Sequence, residues 1–199
     1  MVMCGRYALH SNPEVVALQF RLAEVPAFAP RYNIAPAAEV LVVRPDGAAL
    51  LRWGLRGKAH NLRGETAGRS ARRCLVPANG FYEWKRVGAG KQPYYVRPAR
   101  DPLFGLAGVW HEGTCAILTV DANGALRPIH TRMPAIIAPQ DYARWLGGAP
   151  GLVAPAPDEA VRAHPVGREI NRGSAESPGL IEPASAVGEP GRSGSLFGD

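Results

Sequence analysis

Apolar residues recur at helical spacing once near the start of the chain. Val15, Val16, Leu18, Leu22 and Val25 follow Asn12-Pro13-Glu14, which reads as an N-cap, a first-turn proline and an acid at the positive helix end. The spacing predicts a helix over 13–24, ended by Pro26 and Pro30. Thereafter the pattern changes to short apolar runs. Those at 40–43 and 48–53 flank Pro45-Asp46-Gly47, a turn signal, and predict a hairpin. Further strands are expected at 74–76 and 81–87, then through Gly88-Ala89-Gly90 into 94–97, and at 103–110, 115–120 and 135–137. A short helix at 141–146 stops at Gly147-Gly148, and a second is expected near 158–163. The chain is Gly/Ser-rich and without periodicity from about Ser185. The reading is an α+β fold: one β-rich domain over 3–183, with a mixed, barrel-like sheet and a few short helices, and a disordered tail at 184–199.

Composition narrows the class. A chain of 199 residues with 46% hydrophobic and 20% charged residues can bury a core without staples. No apolar run approaches the ~20 residues of a membrane helix, and the opening residues lack signal-peptide order. Three cysteines, Cys4, Cys74 and Cys115, exclude a disulfide framework and suit a reduced, cytoplasmic setting. With no C-x-x-C or H-x-x-x-H spacing, no metal and no cofactor is expected. The net charge of +6 is concentrated: residues 52–86 hold nine basic residues against Glu65 and Glu83. Nearly all of the basic residues are arginines, which suit phosphate recognition.

Four places carry candidate chemistry. Cys4 stands beside Gly5 and Arg6, and removal of the residues up to Met3 would make it N-terminal. Its amine, of pKa ~7.7–8.0, and its thiol, of ~8.5, would then both be usable near neutrality. Such a pair attacks an aldehyde through nitrogen and closes a five-membered ring through sulfur. Asn61, Arg63 and Glu65 share one side of an extended segment, as a polar site or as a solvated loop. Glu83 lies among Phe81, Tyr82 and Trp84. Period two sets it with Phe81 on one face and Tyr82 with Trp84 on the other. Partial desolvation would suit it to proton transfer, whereas the aromatics read as core or as a platform for unstacked bases. His130 sits in a proline-flanked turn fit for a cleft edge or a structural hydrogen bond, and Thr119 is a further polar candidate at the end of an apolar strand.

Taken in order, these pieces resemble one family, the SRAP domain (SOS response-associated peptidase, or abasic-site processing protein). They are Met3 to Tyr7, Tyr32-Asn33-Ile34-Ala35-Pro36, Trp53-Gly54-Leu55, Asn61 to Thr66, Arg73 to Ala78 and Gly80 to Trp84. Then come Ala107 to Trp110, Ile117-Leu118-Thr119, Ile129-His130 with Arg132-Met133-Pro134, and His164-Pro165-Val166. The resemblance implies a sensor of abasic sites in single-stranded DNA. Its N-terminal cysteine, exposed by autoproteolysis, forms a thiazolidine crosslink, and a Schiff base gives lyase activity. It implies Cys4 as nucleophile, Asn61 holding the N-terminal region, Glu83 moving protons and His130 assisting near the sugar. Arg6 and Arg63 would contact phosphates, Thr119 would line the pocket, and Trp84 would contact DNA. The expected protein is a monomer, cytoplasmic and nucleoid-associated on DNA, with no membrane partner. Met1-Val2 precede the expected start, and 55–61 and 66–73 are shorter than the family's usual loops. Two other readings remain: a peptidase on protein substrates using Cys4, His130 and Asn61 or Glu83, and a non-enzymatic single-stranded-DNA-binding module.

Overall fold

The structure, a computed structural model, describes residues 5–55, 59–66 and 71–184. Cys4 and, apart from Ala184, the predicted tail lie outside the described residues. The chain begins with β1 (Tyr7–Leu9) and α1 (Pro13–Phe20). The Asn12 side chain accepts from Val15 N at 3.1 Å, as the sequence predicts for an N-cap. The helix stops earlier than the predicted 24 because Arg21 turns left-handed, at φ 54°. The N–H groups of Arg21 and Leu22 then close onto Leu18 O and Ala17 O, a Schellman ending that acts before the prolines are reached.

There follow β2 (Arg31–Ile34), β3 (Glu39–Arg44), β4 (Gly47–Trp53), β5 (Asn61–Arg63) and β6 (Arg72–Ala78). Next come β7 (Gly80–Val87), β8 (Gly90–Pro98), β9 (Phe104–His111) and β10 (Thr114–Asp121). The chain continues through β11 (Arg132–Pro134), β12 (Ile136–Ile137), α2 (Tyr142–Leu146) and β13 (Val161–Pro165). The β3–β4 turn forms as predicted, with Arg44 opposite Gly47 and Gly47 at φ 122°.

These strands make two sheets. One has the order β11-β10-β4-β3-β6-β9-β12, with β5 beside β10. In it β9 also pairs with β10, so the run β10-β4-β3-β6-β9 closes into a ring. The sheet is mixed, as expected: β10 runs parallel to β4 and β5, and its other pairings are antiparallel. The second sheet is antiparallel, in the order β13-β8-β7-β1-β2. Leu75, Leu106, Ile117 and Leu118 of the first and Tyr7, Phe81 and Val96 of the second fill one continuous core. Each such apolar side chain contributes about 1.5–3 kcal/mol by leaving water.

A smaller cluster lies on the other face of the second sheet. It joins Ala8, Tyr82 and Tyr95 to Val166, Ile170 and Leu180 of the segment after β13. That segment corrects the second predicted helix. Helical structure near 158–163 is a 3-10 turn, Asp158–Ala160, and Val161–Pro165 is a strand pairing along β8. The edge of β8 offered unpaired backbone groups, and satisfying them outweighed a weak helical signal.

Candidate active site

The site is organised by β7, an interior strand between β8 and β1. Its start requires glycine. A Cβ on Gly80 would fall inside the Tyr95 ring and against Val96 O. From there the strand alternates as the sequence predicts. Phe81 joins the main core, whereas Tyr82 and Trp84 pack with the smaller cluster on the opposite face. Glu83 therefore shares the side of Phe81. It is only 4% exposed, and its Oε2 lies 3.9 Å from His130 Nδ1.

His130 is held from its own turn. Its N–H donates to Leu126 O at 3.0 Å. Its Nδ1 lies 3.1 Å from both the N–H and the carbonyl oxygen of Arg132. Without a hydrogen, Nδ1 accepts from the N–H there, and with one it donates to the carbonyl. Either tautomer is thus accommodated without moving the imidazole. A buried carboxylate and a fixed imidazole at this separation can pass a proton through one bridging group.

Arg132 supports this arrangement from behind. It is 6% exposed and makes a two-pronged bond to Glu65, with Nη1 to Oε1 at 2.9 Å and Nη2 to Oε2 at 3.1 Å. It also donates to Asp121 Oδ1 at 2.8 Å and Thr119 O at 2.6 Å. These bonds hold the Glu65 carboxyl below the usual carboxylate range. They fasten the 3-10 turn Gly64–Thr66, and β5 ahead of it, to the His130 turn.

The other predicted site residues separate into distinct environments. Asn61 is buried on β5 opposite Ile117, whereas Arg63 is exposed. Glu65 does not continue their row. The strand ends at Arg63, and Glu65 turns to Arg132. Thr119 is fully buried, with its hydroxyl 3.3 Å from Leu62 O, and so lies behind β5 rather than on a surface. Arg6 is partly buried, and its Nη1 donates to Asn33 Oδ1 at 2.8 Å and Ile170 O at 3.2 Å. Trp84 faces away from Glu83 and donates from Nε1 to Asn171 Oδ1 at 2.8 Å.

Cys4 lies outside the described residues, and β1 begins three residues after it. Tyr7 pairs with Phe81, and Tyr82 N donates to Arg6 O at 3.0 Å. That bond sets Arg6, two residues after Cys4, beside Tyr82, the chain neighbour of Glu83. The other two thiols are out of reach: Cys74 and Cys115 are buried, and burial pushes Cys115 up to about 12 and Cys74 well above its ordinary value. Among the described residues no group of three His, Cys, Asp or Glu side chains could hold a metal.

Two supporting residues were not assigned a role from the sequence. Arg132 is a lone charge before an apolar run. Asn33 is buried between Tyr32 and Ile34, with Nδ2 donating to Arg172 O at 3.1 Å and Ala175 O at 2.8 Å. Polar residues within apolar stretches were the available signal.

The family described as SOS response associated peptidase (SRAP) matches residues 3–173. The abasic site processing protein YoqW of Bacillus subtilis is 31% identical, over 90% of this chain and 99% of its own. YedK of Escherichia coli, with the same description, is 27% identical over 91% of this chain and all of its own. HMCES of Gallus gallus is 32% identical, with 44% of its length matched. A crystal structure of a protein from Bacteroides thetaiotaomicron superposes with a TM-score of 0.81 over 92% of this chain and 100% of that one, at 22% identity. A phage-related protein from Bordetella bronchiseptica gives 0.66 over 82% and 94%, at 30% identity.

Proposed function

Since the chain belongs to the SOS response associated peptidase (SRAP) family, we propose that it processes abasic sites in single-stranded DNA by covalent capture at Cys4. The relatives' descriptions as abasic site processing proteins support the substrate class. One observation carries the chemistry: the bond from Tyr82 N to Arg6 O ties the chain, two residues after Cys4, to β7 next to Glu83 of the buried Glu83–His130 pair.

The reaction begins with hydrolysis of the Met3–Cys4 peptide bond, one water being consumed and the α-amine of Cys4 freed. That amine attacks the aldehyde carbon of the ring-opened deoxyribose, and the carbinolamine loses water to give a Schiff base. The thiol sulfur then adds to the imine carbon while its proton passes to nitrogen, closing a thiazolidine. Crosslinking thus releases one water. Glu83 takes the proton from the attacking amine and returns it to the departing hydroxyl, with His130 as its partner in that exchange. Asn61 holds the N-terminal segment, while Arg6 and Arg63 face the flanking phosphates. A Schiff base left unclosed permits elimination at the sugar and strand cleavage, the lyase branch of the same chemistry.

Incubation with single-stranded DNA carrying one abasic site, resolved on a denaturing gel, tests the proposal. Wild type is expected to give a heat-stable adduct. Cys4→Ala is expected to give none while keeping most non-covalent binding. An adduct that persists in Cys4→Ala overturns it.

A further inference from the structure

Trp84 leaves the Glu83 side of β7 and opens another surface. On that outer face the indole borders a cleft of about 480 Å³ lined by Trp84, Lys91, Arg168 and Asn171. Cross-strand partners in a sheet point to the same side. Arg86 is opposite Lys91, and lies two residues beyond Trp84 on the same face. Arg168 opens the 3-10 turn Arg168–Asn171 that packs over this face. Three exposed cations thus surround one partly exposed indole.

Among the described residues none of the three has a carboxylate partner, and the neighbouring Glu169 folds its carboxylate back over Gly167. Two like charges set directly opposite each other on a hairpin are unfavourable unless an anion joins them. An aromatic face flanked by cations is how single-stranded nucleic acids are held without regard to sequence, with a base on the ring and phosphates on the cations.

The edge of β7 connects this face to the candidate site. β1 and Arg6 before it cover Gly80 to Tyr82. Among the described residues, no strand covers that edge from Trp84 to Val87, while β8 occupies the other.

We infer that Trp84, Arg86, Lys91 and Arg168 form an outer track for single-stranded nucleic acid, binding the flank of the strand whose abasic residue occupies the Glu83–His130 side. The inference rests on the proposed function and extends it from the lesion to the length of DNA engaged. The track binds the phosphodiester backbone and stacks any base. It takes no part in bond making.

The test uses the combined variant Arg86→Glu, Lys91→Glu, Arg168→Glu, all at exposed positions, with unchanged thermal unfolding as the control for folding. Two abasic oligonucleotides are compared, one of about five nucleotides and one of about twenty. The variant is expected to crosslink and bind the short one as wild type does. It is expected to bind the long one at least about tenfold more weakly, with a log–log salt slope shallower by about two, the loss of three single-strand phosphate contacts. Wild-type affinity and slope on the long oligonucleotide overturn the inference, as does an equal loss on both lengths, which marks a general charge effect. If wild type captures neither oligonucleotide, the proposed function itself fails. If wild type captures the short one and the variant matches wild type on the long one, only the outer track fails.

Discussion

Glu83 shows how a charged residue in a strand comes to be buried. Phe81, its neighbour on the same face, lies in the core, and His130 meets Glu83 at 3.9 Å. Glu83→Gln keeps the shape and removes the proton carrier. It is expected to slow adduct formation by about 10²-fold or more, with little change in DNA affinity. Rates measured at saturating DNA, alongside equilibrium binding, check this, and a variant at wild-type rate contradicts the role. The Arg132–Glu65 bond has a pH dependence of determined sign. Because the folded Glu65 carboxyl titrates below its ordinary 4.5, the bond's stabilisation is present above that value and lost as pH falls through the lower, folded one. Thermal unfolding of wild type and Glu65→Gln is therefore expected to differ at pH 7 and to converge in acid. The buried thiols give a further check: Cys74 and Cys115 are expected to stay unalkylated in the native protein at pH 8 and to react on denaturation.

At the scale of elements, Gly80 sets the height of β7. Gly80→Ala drives a methyl group against the phenol end of Tyr95 and the Val96 carbonyl, and the carbonyl cannot yield without moving β8. A loss of about 1–3 kcal/mol is expected in denaturant unfolding, with slower adduct formation because Glu83 shifts with its strand. The long strands were legible because they are apolar runs with turn signals at both ends: Pro45-Asp46-Gly47 and Gly88-Ala89-Gly90 fall at the turns of the β3–β4 and β7–β8 hairpins. The three-residue strands β1 and β11 were not, since their pairing comes from distant neighbours. β13 was misread for the same reason. The end of α1 was misplaced because a non-glycine left-handed cap at Arg21 leaves no mark in the sequence. Within the site, the alternation of β7 was legible residue by residue. The clasp of Arg132 on Glu65 was not, as it joins positions 67 apart.

Over the whole molecule the basic segment of residues 52–86 dissolves into different surroundings. Arg72 lies over the Trp110 ring at 5.1 Å. Arg73 lies over Trp145 at 4.3 Å and donates to Ala149 O at 2.6 Å. Both belong to the packing of β6. Arg63 is exposed beside the candidate site, and Arg86 stands on the outer face. Charge contiguous in the sequence is therefore not one patch in space. Arg73→Ala is expected to cost about 1–2 kcal/mol of stability and leave DNA affinity unchanged. Arg63→Ala is expected to do the reverse, lowering affinity and reducing the salt slope by about 0.7. Binding titrations across salt concentrations, paired with unfolding curves, separate the two.

The central claim is that the amine and the thiol of Cys4 together capture the lesion. Intact-mass spectrometry of the denatured adduct tests it most directly. The predicted adduct survives denaturation without a reductant, as an open Schiff base does not, and has the mass of a chain beginning at Cys4 plus the abasic oligonucleotide, less one water. An adduct on a chain that still carries residues 1–3, or no adduct on a chain that begins at Cys4, would contradict it.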